Sequence, residues 1–184
     1  MKHLFQALLL LLMLSTAWGA GASDENRLIT VGLNLFPNIV SIDEGIAEKR
    51  ANDGNVYLLI TYEHQLLQTE KLAKKLRSQV TSIKKFPVIV KVVKASELHS
   101  FSKRTAGIFL SERLSDKLLP HVIHHASEHG ALVFSPFSGD VERGVTMGMQ
   151  ITSKIWPYCN TKTLELSDIH FHPSFLKIMR CYSE

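Results

Sequence analysis

The chain has 184 residues, with 21 Lys and Arg against 17 Asp and Glu and a formal charge of +4 at pH 7. That mild excess is far from the concentrated basic footprint of a nucleic-acid binder, so no nucleic-acid partner is expected. The apolar run near the start, Leu4 to Leu14, is too short to span a bilayer comfortably. No later segment approaches the roughly 20 residues a membrane helix needs, which argues against an integral membrane protein.

The first residues have the layout of a secretory signal. Lys2 supplies a positive start and Leu4 to Leu14 an apolar run. Ala20-Gly21-Ala22 offers small residues for cleavage before Ser23, and Ala17-Trp18-Gly19 offers a second cut site. The expectation is therefore a signal over residues 1–22 and one exported, periplasmic domain over residues 23–184. Cleavage takes Lys2 and no acid with it. About 160 residues remain, within the range of a single compact domain with a substantial core.

Leu28, Val31, Leu35, Phe36 and Ile39 fit one helical face, whereas Ile29, Val31, Leu33 and Leu35 fit strand alternation. A helix kinked at Pro37 is the preferred expectation. The polar stretch Asp43 to Gly54 is expected to be a connecting loop. Val56 to Tyr62 then forms a short apolar run, expected as a buried strand. From Leu66 to Val80 the period turns helical: Leu66, Leu72, Ala73, Leu76 and Val80 share a face, and Lys71, Lys74 and Lys75 form a solvated one.

Val88 to Val93 is expected as the second strand, Ala106 to Leu110 as the third and Ala131 to Phe134 as the fourth. Between the last two lies a helix with Ser115 as its cap, Leu118, Leu119, Val122, Ile123 and Ala126 inward, and Gly130 at its end. Strands separated by helical patterns pair in parallel through crossovers. The predicted fold class is therefore α/β, a three-layer sandwich with a mostly parallel central sheet and flanking helices. Val145 to Ile151 alternates as a further strand, open to antiparallel pairing, and a short segment around Phe175 to Ile178 closes the chain.

Cys159 and Cys181 lie near the C-terminus. In an oxidising compartment they are expected to form one bridge, the alternative being two buried thiols. No cofactor is indicated. His121, His125 and His129 stand four apart, enough to put two imidazoles on one helical turn. The pattern lacks the glutamate of a zinc-protease motif and spacing assigns no third ligand, so no metal is assigned. His121, His124 and His125 fall away from the Leu118–Val122–Ala126 face and are expected in solvent. His129 ends the helix, where positive character is favourable. His170 and His172 would share one side of a strand.

The most unusual string runs from Phe134 to Gly144, after the fourth strand. Carboxyl ends of parallel strands are where open α/β sheets place ligand crevices. Ser135, Ser138, Gly139, Asp140 and Arg143 are thus the candidate residues for binding a ligand or partner. The same residues are also what a turn demands, with an Asp140–Arg143 pair satisfying itself. No nucleophile elbow or phosphate-binding loop is present, and no enzyme activity is expected.

Read in order, several segments resemble the YfiR-like family of bacterial periplasmic proteins. Leu28-Ile-Thr-Val-Gly-Leu-Asn-Leu-Phe-Pro-Asn-Ile-Val40 is similar to its opening helix, and Val56 to Thr61 and Pro87 to Leu98 to its next strands. Ala106 to Leu110 is similar to the strand that follows them. Gly144-Val-Thr-Met-Gly-Met-Gln-Ile151, with Asn160, Leu164, Ile169 and Phe175-Leu176, is similar to its closing part. The resemblance implies a non-enzymatic periplasmic regulator or sensor, because better-known relatives restrain a membrane-bound diguanylate cyclase. The implied partner is a membrane signalling protein, of diguanylate cyclase or histidine kinase type, met through its periplasmic domain, with homodimer formation open. The alternative is a small periplasmic solute-binding protein for an anionic or polar ligand.

Overall fold

A computed structural model describes residues 19–183, and the leader run from Leu4 to Leu14 lies outside them. Helix α1, Gly19–Ile42, buries Ile29, Leu33, Phe36 and Val40. Spacings of four, three and four put these on one helical stripe, which decides between the two periodicities in this segment. Val31 and Leu35, which strand alternation would have buried with Leu33, stay half-buried. Pro37 lies inside α1, and the helix continues past it to Ile42. The expected cleavage site before Ser23 falls in the first turns of this helix.

Strand β1, Val56–Tyr62, is a continuous buried run, as expected for a parallel strand covered on both faces. It is followed by helix α2, Leu66–Gln79, and by an antiparallel hairpin of β2, Ser82–Ile83, and β3, Phe86–Lys94. A 3-10 turn, Ala95–Ser100, leads to β4, Gly107–Leu110. Helix α3, Leu118–His129, leads to β5, Leu132–Ser135, and the chain returns as β6, Met147–Ile151. The sheet order is β2-β3-β1-β4-β5-β6-β7-β8, with β3, β1, β4, β5 and β6 mutually parallel.

The chain moves outward from β1 to β3 and then crosses to the other side of β1 to form β4. Right-handed crossovers running in opposite directions put their connections on opposite faces. Accordingly α1 packs with α2, and the Ala95–Ser100 turn packs with α3. The three-layer α/β sandwich is thus the observed architecture. Its centre is aromatic: Phe36 of α1 meets Phe109 of β4 and Phe134 of β5 with ring centroids 5.6 and 6.2 Å apart. Gly107 permits this approach, since a Cβ there would sit 2.8 Å from Val40 and 2.9 Å from Phe36.

The C-terminal part holds more order than its sequence suggests. Strand β7, Ile155–Asn160, pairs antiparallel with β6, and β8, Arg180–Tyr182, pairs parallel with β7. Short helices α4, Thr161–Leu166, and α5, Pro173–Leu176, connect them. The Asn160 side chain caps α4 by accepting from Thr163 N–H and ties it to Val141 through its own amide. Cys159 and Cys181 are register partners with Cα atoms 4.5 Å apart, and they form the expected disulfide.

Two expectations are corrected. The Asp43–Gly54 stretch is more than a loop: it contains a 3-10 turn, Glu44–Ala47, and a buried Asp43–Lys49 ion pair. Asp43 also accepts from His170 N–H and Lys49 donates to Asp168 O, so this pair anchors the distant C-terminal segment. Ser115 is not the cap of α3, which begins at Leu118 after Lys117; its carbonyl accepts from Leu118 and Leu119 N–H instead.

Because the bridge joins residues 22 apart, replacing Cys159 and Cys181 together by Ser should lower unfolding free energy by about 3 kcal/mol in the loop-closure account. Urea denaturation of the oxidised protein and the double variant measures this. A variant as stable as the parent would show that the β7–β8 pairing does not need its staple.

Candidate functional site

The carboxyl ends of β1, β4 and β5 form one continuous edge, and its side chains are bonded mainly to one another. Glu112, just after β4, directs Oε1 at the three successive N–H groups of Glu63, His64 and Gln65, at 2.9, 2.9 and 2.8 Å. These amides precede α2 at the point where strand order reverses, where an open α/β sheet would receive an anionic ligand. Here a carboxylate of the chain itself takes that position. Glu63 in turn accepts from Ser115 N–H at 2.8 Å, the main cause that holds its carboxyl below its ordinary value. Beneath them Ser111 donates to Thr61 O and shares a hydrogen bond with Thr69.

The loop singled out after β5 belongs to the same network. Ser135 Oγ donates to Asp140 at 2.7 Å and accepts from Phe137 N–H at 3.1 Å. Asp140 also accepts from Arg143 at 2.8 Å and Arg113 at 3.4 Å. Ser135 and Asp140 are completely buried and frame the loop from within. Ser138 and Gly139 are exposed, Gly139 in a left-handed conformation at φ +89° that its missing Cβ allows. Arg143 reaches the surface, but its guanidinium is divided between Asp140 and Asp116, the latter at 2.6 Å. The expected Asp140–Arg143 pairing is therefore present, and its Arg fork is already engaged.

Open space lies beside this loop. A cleft of about 310 Å³ is lined by Leu28, Phe137, Ser138, Glu142, Met149 and Tyr158, among others. Burial, and then Glu142, push the Tyr158 hydroxyl up from its ordinary value. Ile151, which lines the cleft, and its register partner Ile155 are half exposed on either side of the turn between β6 and β7. Sequence reasoning missed these two residues. The available signal was an alternating strand ending in Ile151, a polar Thr152-Ser153-Lys154 turn, and a second apolar run from Ile155.

The histidines divide differently from the expectation. His121 and His124 are exposed, but His125 is buried and stacks on His129 with ring centroids 4.3 Å apart. It faces inward because the Ala95–Ser100 turn covers that side of α3, a contact no local period reveals. Burial first, then His129, pushes His125 down to about 4, and its buried Nε2 has no hydrogen-bond partner. Among the described residues no group of three His, Cys, Asp or Glu is placed to hold a metal ion. His170 and His172 flank Phe171, which bridges to Asp43, and His172 caps α5.

Two measurements test these assignments. Glu112→Ala leaves three amides without their charged acceptor and should cost about 2–3 kcal/mol in a urea titration, with Glu112→Gln losing less. Wild-type-like stability in both would show that water replaces the carboxylate freely. For His125 the folded value lies below the unfolded one, so the unfolded chain binds the extra proton between pH 6.5 and about 4. Its contribution is complete above pH 6.5 and is lost as pH falls towards 4, by on the order of 3 kcal/mol. Melting temperature against pH should therefore fall less steeply in His125→Phe than in the parent; parallel curves would contradict the burial account.

No protein-family model and no curated protein matches the chain. Among solved structures it is similar to the ABC domain in complex with L-Trp from Streptococcus pneumonia, at 12% identity and a TM-score of 0.50, over 78% of this chain and 60% of that one. It is also similar to a conserved domain protein from Vibrio cholerae, at 12% identity and a TM-score of 0.47, over 74% and 57%. The chain spans less than two thirds of either structure, and at this identity the first likeness is one of fold alone. Among the described residues no helix is long and apolar enough to cross a membrane.

Proposed function

We propose that the protein is an exported, non-enzymatic regulator or sensor of the YfiR-like kind that binds the extracytoplasmic part of a membrane signalling protein, of diguanylate cyclase or histidine kinase type. The leader pattern and the ordered resemblance support export and class. The observation that carries the reading is the surface at the carboxyl edge: half-exposed Ile151 and Ile155 beside a partly apolar cleft, on a base braced by Glu112, Asp140 and their partners. Exposed apolar residues next to a rigid loop suit protein recognition, in which a few central anchors supply most of the affinity. Ser138 and Gly139 lie at the tip of that loop, and Arg143 stiffens it.

A second reading has two supporting observations. The cleft of about 310 Å³ is near the lower end of small-molecule sites, and one structure of similar fold is a complex with L-Trp. On that reading the protein captures a solute with Phe137, Met149 and Tyr158 against its body and Glu142 at its polar end.

Periplasmic crosslinking of the Ile151→Asp, Ile155→Asp double variant distinguishes the two. Partner capture should drop at least about tenfold, as expected for loss of a central anchor, with the melting temperature unchanged. Arg143→Ala should act differently, lowering the melt because buried Asp140 loses a charged partner. Undiminished capture by the double variant would remove the hairpin from the interface. A small molecule carried through native purification would favour solute capture.

A further inference from the structure

A second cleft, of about 540 Å³, lies on the face of the sheet covered by α3 and the Ala95–Ser100 turn. Its size is within the usual range for small-molecule sites. His99 from the turn and His121, His124, His125 and His129 from α3 line it, with Lys117 at the near end of the helix. Its one acid, Glu128, is already paired with His124 at 3.5 Å. Ala95, Leu98 and Leu118 add an apolar part to the lining. The wall therefore offers nitrogen groups in excess, one fixed cation and a greasy patch. No three ligands converge for a metal among the described residues.

We propose that this cleft binds a small organic carboxylate, whose charge is met by Lys117 and by His121 one turn further along α3, and whose apolar body rests on Ala95, Leu98 and Leu118. The inference is independent of the carboxyl-edge surface and adds a ligand to a protein otherwise read as binding a partner. Histidine side chains gain charge as pH falls between 8 and 5, so a wall built of them becomes a stronger anion site in acid. The titratable groups facing the cleft are His99 on the turn and Lys117, His121, His124, His125, Glu128 and His129 on α3. Burial first, and then His129, His124 and His99, hold His125 neutral. An anion offsets the repulsion among these imidazoles, and by linkage protons and anion favour each other's binding. The stacked His125–His129 pair adds a flat surface on which a planar ligand can lie.

The test uses the leader-free, disulfide-bonded protein and benzoate as probe, titrated calorimetrically at about pH 6 and pH 8. Binding should be about tenfold tighter at the lower pH, as protonation of the wall requires. Lys117→Gln and His121→Gln, one turn apart on α3, should each weaken it at least about fivefold, by removing a hydrogen-bond donor to the carboxylate. Thermal melts of both variants report whether the fold survives, and benzylamine supplies the same ring with the opposite charge. Equal affinity at the two pH values, equal binding of benzylamine, no detectable benzoate binding, or folded variants that bind as the parent does would each overturn the proposal. Loss of benzoate binding in the Ile151→Asp, Ile155→Asp variant alone would assign the ligand to the other cleft and overturn it as well.

Discussion

Three backbone amides and one carboxylate oxygen fix the geometry on which the rest of the carboxyl edge depends. Successive N–H groups before a helix have no partners within that helix, and leaving such donors unmatched where they are part-buried is costly. Glu112 accepts all three, and because it follows β4 while they follow β1, it locks together the two segments where strand order reverses. The start of α2 is set by this contact, since its first turn has no side-chain cap. Ser111 and Thr69 continue the tie inside the sandwich. One residue therefore joins a helix, two strands and the connection towards α3.

That arrangement also limits what the edge can do. A crevice of this type commonly takes an anion, and here the chain supplies its own. The bracing continues laterally through Arg113, Asp140, Arg143 and Asp116, so the strongest donors nearby are matched by carboxylates. A ligand anion would have to displace an ion pair anchored on a fully buried aspartate. What remains available is shape and apolar area, in the cleft by Phe137 and at the hairpin tip. Those are the properties of a docking surface, which is why binding to a partner is the leading reading for this edge.

The parallel core was legible because each strand is a short apolar run with turn residues on both sides and each helix keeps a regular stripe. Val56–Tyr62 and the Leu118–Ala126 face are the plainest cases. Three kinds of feature were not legible. Strands β7 and β8 are stabilised by their neighbours and the disulfide, and Pro157 within β7 is poor strand sequence on its own. Leu66 fits the apolar face of α2 by periodicity yet is half exposed at the helix start, where the sheet no longer covers it. The inward turn of His125 and the burial of Asp43 with Lys49 come from long-range contacts that sequence spacing does not encode. For the site, the string from Ser135 to Arg143 was found by composition, but its division into a buried frame and an exposed tip depends on Arg113 and Asp116, residues more than twenty positions away.

Segment Ser115–Lys117 lies between the two surfaces and belongs to both. Ser115 N–H is held by Glu63, Asp116 is held by Arg143, and Lys117 lines the histidine cleft. A charge bound beside Lys117 acts on a stretch whose two preceding residues are bonded to the carboxyl edge, so the path between the clefts is short and polar. Coupling requires that the ligand favour one arrangement of this segment over another, and whatever preference it has must act equally in reverse. On the proposed reading, a partner docked at the hairpin edge would then alter affinity for the anion to the same degree that the anion alters affinity for the partner. The closely packed parts of the fold, the aromatic centre under α1 and the Glu112 tie, leave that segment as the place where such a difference can be expressed, because the strands on either side are buried and paired along their length.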